Sequence, residues 1–163
     1  MRKSLLIILA LIAATFTARA DLGGFYFEDI DIEAQVSADN VWEVTETYVI
    51  NFTEERHGFY RYIPLKGHNE VEDISVDGWH FSTDESTKYN CIIRIGNAKR
   101  YVSGRQTYTI SYRYVYIYPK EPDEYELYHT IFGTDFNAEV RHLTFTVNFD
   151  KPLPDDKNQG TVL

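Results

Sequence analysis

From Ile30 the chain alternates: Ile30-Asp31-Ile32-Glu33-Ala34-Gln35-Val36 places an apolar residue at every second position. Period two marks a strand with one buried face. Ser37-Ala38-Asp39-Asn40 is a turn signal. Val41 to Phe52 then reads as a long strand, with Trp42, Val44, Glu46, Tyr48, Ile50 and Phe52 on one face and Thr45, Thr47 and Asn51 on the other. Shorter strands follow at Val71–Asp77, closed by the turn pair Asp77-Gly78, and at Tyr89–Ile95, closed by Gly96-Asn97. Gln106 to Tyr118 carries Tyr108, Ile110, Tyr112, Tyr114, Tyr116 and Tyr118 on one face. Ala138 to Phe149 alternates again, with a phase break between Val140 and Leu143 that predicts a bulge. Helical periodicity is not found after residue 21. With 13 Tyr and 10 Phe among many Thr, Val and Ile, this predicts an all-β domain: an antiparallel β-sandwich, immunoglobulin-like or jelly-roll-like. A closed barrel is the alternative.

The ends have a different character. Arg2 and Lys3 precede an apolar run, Leu5 to Phe16, and Ala18-Arg19-Ala20 forms an A-x-A cleavage pattern. Residues 1–20 read as a secretory signal peptide, with an uncleaved anchor as the alternative. The sandwich occupies 21–150. Residues 151–163 have linker composition and point toward a downstream part. Cleavage would remove three of the 16 basic residues (Arg2, Lys3, Arg19) and no acidic one, which leaves 13 bases against 25 acids and takes the net charge from −9 to −12. So acidic a domain repels nucleic acid. The single cysteine, Cys91, excludes an intrachain disulfide and reads as a small buried hydrophobe.

His57-Gly58-Phe59-Tyr60-Arg61-Tyr62-Ile63-Pro64 is the most concentrated chemistry in the chain. If this stretch is extended, His57, Phe59, Arg61 and Ile63 share one face, and Arg61 stands between two apolar neighbours. Glu46 is the one charge in the apolar row of the preceding strand. Either charge buried alone costs several kcal/mol, so Glu46 and Arg61 are expected to form a structural ion pair. The second reading of the segment is a surface site in which His57, Tyr60 and Arg61 meet an acidic or sugar ligand.

The order of motifs resembles the N-terminal extracytoplasmic domain of a family of predicted bacterial membrane proteins, DUF2207. The resemblance rests on Val44-Thr45-Glu46, on the segment His57–Pro64, on Arg94-Ile95-Gly96, on Gly104-Arg105-Gln106-Thr107-Tyr108-Thr109-Ile110-Ser111-Tyr112 and on Glu126-Leu127-Tyr128-His129-Thr130-Ile131-Phe132-Gly133. His129 replaces the tryptophan usual in the family. The resemblance implies membrane association through a part not in these residues, and it supplies no catalytic residues.

No G-x-S-x-G, H-E-x-x-H, P-loop or C-x-x-C is present. The five histidines lack metal-ligand spacing, and no cofactor is expected. Zinc would need the histidines to converge in space, and calcium on a sandwich loop is the ion partner kept as an expectation. The tyrosine row, with Tyr112, Tyr114 and Tyr116 at its centre, is either core or an exposed platform for a glycan or a partner protein. Trp79, after the Asp77-Gly78 turn, is either an exposed anchor or an edge cap. The expected function is a non-catalytic binding or interaction domain, exported to the periplasm or cell surface. Its partner would be a protein or a cell-envelope glycan. The alternatives are a carbohydrate-binding module and a hydrolase of envelope polymers.

Overall fold

The computed structural model describes residues 23–39, 41–65, 69–116 and 138–150. The segments read as leader (1–20) and linker (151–163), together with Tyr118 and the Glu126–Gly133 motif, lie outside them. Among the described residues there is no helix, and eight strands form two sheets. The large sheet has the order β4-β7-β2-β1-β8, where β1 is Phe25–Val36, β2 Val41–Arg56, β4 Glu70–Val76, β7 Val102–Val115 and β8 Leu143–Phe149. The small sheet has the order β3-β6-β5, with β3 Gly58–Pro64, β5 Phe81–Ser82 and β6 Asn90–Gly96.

Alternation dictates what lies between the sheets. Ile30, Ile32, Ala34 and Val36 of β1, Trp42, Val44, Tyr48, Ile50 and Phe52 of β2, and Tyr108, Ile110 and Tyr112 of β7 all bury their side chains. Phe59 and Ile63 of β3 and Ile93 and Ile95 of β6 are buried as well. Phe59 joins the layers: its ring lies 5.4 Å from Tyr48, 4.9 Å from Tyr108 and 6.4 Å from Phe27. The fold is thus a sandwich of facing sheets.

One sheet is mixed rather than antiparallel. β8 runs parallel to β1, from Ile30↔Leu143 to Val36↔Phe149. Alternation reports which way side chains face, not which way a neighbouring strand runs, so the sequence pattern carried no sign of this. The phase break before Leu143 has a structural counterpart. Phe27 bridges Val140 and Ile30 pairs Leu143, so both strands step by three residues there. β1 is irregular against β2 at the same point, between Phe27 and Asp29.

The passage from β2 to β3 takes the chain from one sheet to the other through His57 alone. Gly58 makes this geometrically allowed. It pairs with Gly96 across β3 and β6, at φ of 121° and 128° respectively. A Cβ on Gly58 would sit 1.8 Å from the Ile95 carbonyl oxygen, and one on Gly96 would sit 1.8 Å from the His57 carbonyl oxygen. Two backbones meet here at a distance only glycine allows. The segment His57–Pro64 is therefore, first, a corner of the fold.

Candidate functional site

β2 and β3 face each other across the core, which brings Glu46 and Arg61 together. Arg61 Nη2 lies 2.7 Å from Glu46 Oε1 and Arg61 Nε 2.7 Å from Oε2, a two-pronged pair with both side chains fully buried. Tyr48 donates its hydroxyl to Oε2 at 2.6 Å and Tyr112 to Oε1 at 2.8 Å. Each carboxylate oxygen thus accepts two hydrogen bonds, and Arg61 Nη1 also donates to the Tyr62 carbonyl. Burial pushes the Glu46 carboxyl upward, but the Arg61 charge and the donated hydrogen bonds outweigh it and hold the group below its ordinary range. Burial works in the opposite sense on Arg61, and the Glu46 charge overcomes it. The tyrosine hydroxyls of Tyr48 and Tyr112 are raised well above their usual value, first by burial and then by the neighbouring carboxylate. This cluster is built to hold two sheets in register. Arg61 has no accessible surface and is not part of a ligand site with His57 and Tyr60.

The aromatic row of β7 faces inward. Tyr112 and Tyr114 are each 3 % exposed and Tyr116 8 %. Tyr114 donates to the Pro64 carbonyl at 3.1 Å and receives Asn69 Nδ2 at 3.2 Å. An exposed platform from Tyr112, Tyr114 and Tyr116 is therefore ruled out by the second sheet, which covers that face. Alternation defined the row but not whether another layer lies on it. Trp79 is half-buried: it packs 4.5 Å from Tyr108 and donates Nε1 to the Thr107 carbonyl at 3.1 Å, which makes it an edge cap rather than an anchor.

The open site is the corner itself. A groove of about 700 Å³ runs along it, lined by Phe25, Arg56, His57, Tyr60, Tyr62 and Arg94 together with Gly58 and Gly96. Gly58 breaks the alternation, so His57 turns to the surface instead of joining Phe59 and Ile63. Its ring stacks 4.1 Å from Tyr101. Its Nδ1 donates toward the carbonyls of Asn97 and Arg100 at 3.2 and 3.3 Å, which pins the neighbouring turn. Tyr60 and Tyr62 point outward from β3, 38 % and 37 % exposed, with ring centroids 6.1 Å apart and planes inclined by 25°. Strand register sets Arg94 of β6 directly opposite Tyr60. Tyr62, Arg94 and Arg56 were not singled out from the sequence. Tyr62 follows from the same alternation that exposes Tyr60, whereas Arg94 needs the β3–β6 register. Among the described residues no group of three or more His, Cys, Asp or Glu could hold a metal ion.

A two-sheet, all-β domain with a sealed polar core and one open corner is the class of protein these features define. Residues 26–163 match the model of a family described as the N-terminal domain of predicted membrane proteins, DUF2207, and the chain belongs to that family. No curated protein sequence matches it. Among solved structures, leukotriene A4 hydrolase from Saccharomyces cerevisiae is similar at 17 % identity over 55 % of this chain and 15 % of that one, with a TM-score of 0.39. The M1 zinc metallopeptidase from Deinococcus radiodurans is similar at 14 % identity over 56 % and 20 %, with a TM-score of 0.36. The chain thus spans a fifth or less of these structures' length. Among the described residues no helix is long and apolar enough to cross a membrane.

Proposed function

We propose that this chain is a non-catalytic interaction domain on the extracytoplasmic side of a membrane protein, and that it engages its partner at the β2–β3 corner. The observation that carries this reading is the division of labour between the two polar sites. Glu46, Arg61, Tyr48 and Tyr112 spend their hydrogen bonds on one another inside the core. At the corner, Tyr60, Tyr62 and Tyr101 are large side chains left at the surface, 37 to 59 % exposed, beside arginines. Tyrosine and arginine are the residues that anchor interfaces. The family supports attachment to a membrane, and the apolar run with its A-x-A site supports export.

Fractionation of the native gene product tests this directly. The expected result is sedimentation with washed membranes, together with cleavage of the domain by protease added outside the cytoplasmic membrane. A product that stays with the cytosol, or a domain shielded until the cytoplasmic membrane is broken, contradicts the reading.

A further inference from the structure

We infer that the corner groove binds an anionic saccharide, a pyranose carrying a carboxylate or a phosphate ester; the inference rests on the interaction reading above. The charge distribution is the first support. The whole sequence has a net charge of −9, yet Arg56 and Arg94 line this groove and Lys99 and Arg100 follow in the turn beside it, four bases against the three carboxylates of Glu54, Glu55 and Glu85. Arg94 is held only by long contacts, and Arg56 keeps an unpaired donor. Arg94 is 43 % exposed, reaches Glu85 at only 3.9 Å and Ser82 Oγ at 3.4 Å. Arg56 lies over the Phe25 ring at 5.2 Å, and its buried Nε has no hydrogen-bond partner. A guanidinium with unspent donors is suited to a planar carboxylate or a phosphate, which it grips with two parallel bonds.

The aromatic geometry supplies the rest. Tyr60 and Tyr62 are two residues apart on one strand, so their rings repeat at roughly 6.6 Å along it, close to their 6.1 Å centroid separation. Their electron-rich faces suit the apolar C–H face of a sugar ring. Arg94 stands opposite Tyr60, and Glu85 Oε1 accepts from the Tyr60 hydroxyl at 3.4 Å and lies 3.9 Å from Arg94 Nε, so a ligand resting on the rings places its acidic group where that carboxylate now sits and displaces it.

The test is titration of the chain, by calorimetry and by tyrosine fluorescence, with four probes: tri-galacturonate, its methyl ester, glucose 6-phosphate and a penta-glutamate peptide. Tri-galacturonate or glucose 6-phosphate, or both, should bind, and the neutral ester should bind at least about tenfold more weakly, the loss of one charge-assisted contact. Arg94→Gln and Arg56→Gln should each weaken binding of the acidic sugar about tenfold, and Tyr60→Ala should weaken the sugar and its ester alike. Glu33→Gln, on the large sheet, should leave binding unchanged. Arg94 makes only weak surface contacts, so its variant keeps the fold, which an unchanged thermal midpoint verifies. Equal binding of the ester, tighter binding of penta-glutamate, or no binding of either acidic sugar at millimolar concentration overturns the inference. A loss of saccharide binding alone leaves the interaction reading standing, because fractionation and protease access report on that reading separately.

Discussion

Replacing Arg61 by Met removes one partner of the buried pair and leaves Glu46 without its counter-charge. In the native domain Arg61 supplies two of the four hydrogen bonds to the carboxylate, both at 2.7 Å, and Tyr48 and Tyr112 supply the others. Breaking a buried pair from one side costs about 3–5 kcal/mol. Glu46 has an escape, however: it can take up a proton. At pH 7 that costs about 3.4 kcal/mol, the roughly 2.5 pH units above its ordinary value of 4.5 at about 1.4 kcal/mol each. The loss in Arg61→Met is therefore capped near 3–4 kcal/mol at pH 7, a large share of the roughly 5–15 kcal/mol of a domain. It should shrink by about 2–3 kcal/mol at pH 5, where protonation is nearly free. Urea unfolding of the wild type, Arg61→Met, Glu46→Gln and the double variant, at both pH values, measures this. The double variant should be more stable than the sum of the single losses by at least about 1 kcal/mol. Additive losses, or a loss in Arg61→Met below about 0.5 kcal/mol with no pH dependence, refute the reasoning.

Other outcomes follow from the same structure. Gly58→Ala and Gly96→Ala each drive a Cβ to 1.8 Å from a carbonyl oxygen, so each should abolish soluble expression or lower the thermal midpoint by well over 10 °C; a midpoint within 2 °C of wild type refutes the close approach. Phe59→Ala removes the ring that touches Tyr48, Tyr108 and Phe27 and should cost about 3–5 kcal/mol in urea unfolding, whereas Tyr62→Ala at the surface should cost under about 1 kcal/mol. Burial raises the Tyr108 hydroxyl from 10.0 to about 12. The native state therefore holds a proton that the unfolded chain releases, and Tyr108 alone should take about 1 kcal/mol per unit from the stability present below pH 10 between pH 10 and 12, with Tyr48 and Tyr112 adding losses of the same sign; a flat urea midpoint across that window contradicts the burial. At the acid end the depressed Glu46 carboxyl has the opposite sign: its contribution is present above pH 4.5 and is lost as pH falls below it.

Much of the scaffold was legible because alternation encodes which side chains share a face. Glu46 and Arg61 stood out as single opposite charges in apolar rows, and the structure holds them 2.7 Å apart. The Tyr108–Tyr116 row was equally visible, but a strand pattern does not say whether a second sheet covers it. His57 fell on the wrong face because Gly58, at φ 121°, resets the phase of the strand. The corner groove was the least legible feature. It needs the pairing of β3 with β6, segments separated by both β4 and β5, and nothing local sets that register. The short β5 and the parallel direction of β8 escaped for the same reason: both are defined by neighbours distant in sequence.

The most direct measurement places a photo-reactive amino acid at Tyr60 of the native protein in intact cells, with Glu33 on the large sheet as the comparison position. A discrete cross-linked species is expected from position 60, absent from position 33 and lost when Arg94 is changed to Gln. Equal labelling from both positions, or no product at position 60 in cells where the domain is exposed outside the membrane, contradicts the interaction reading.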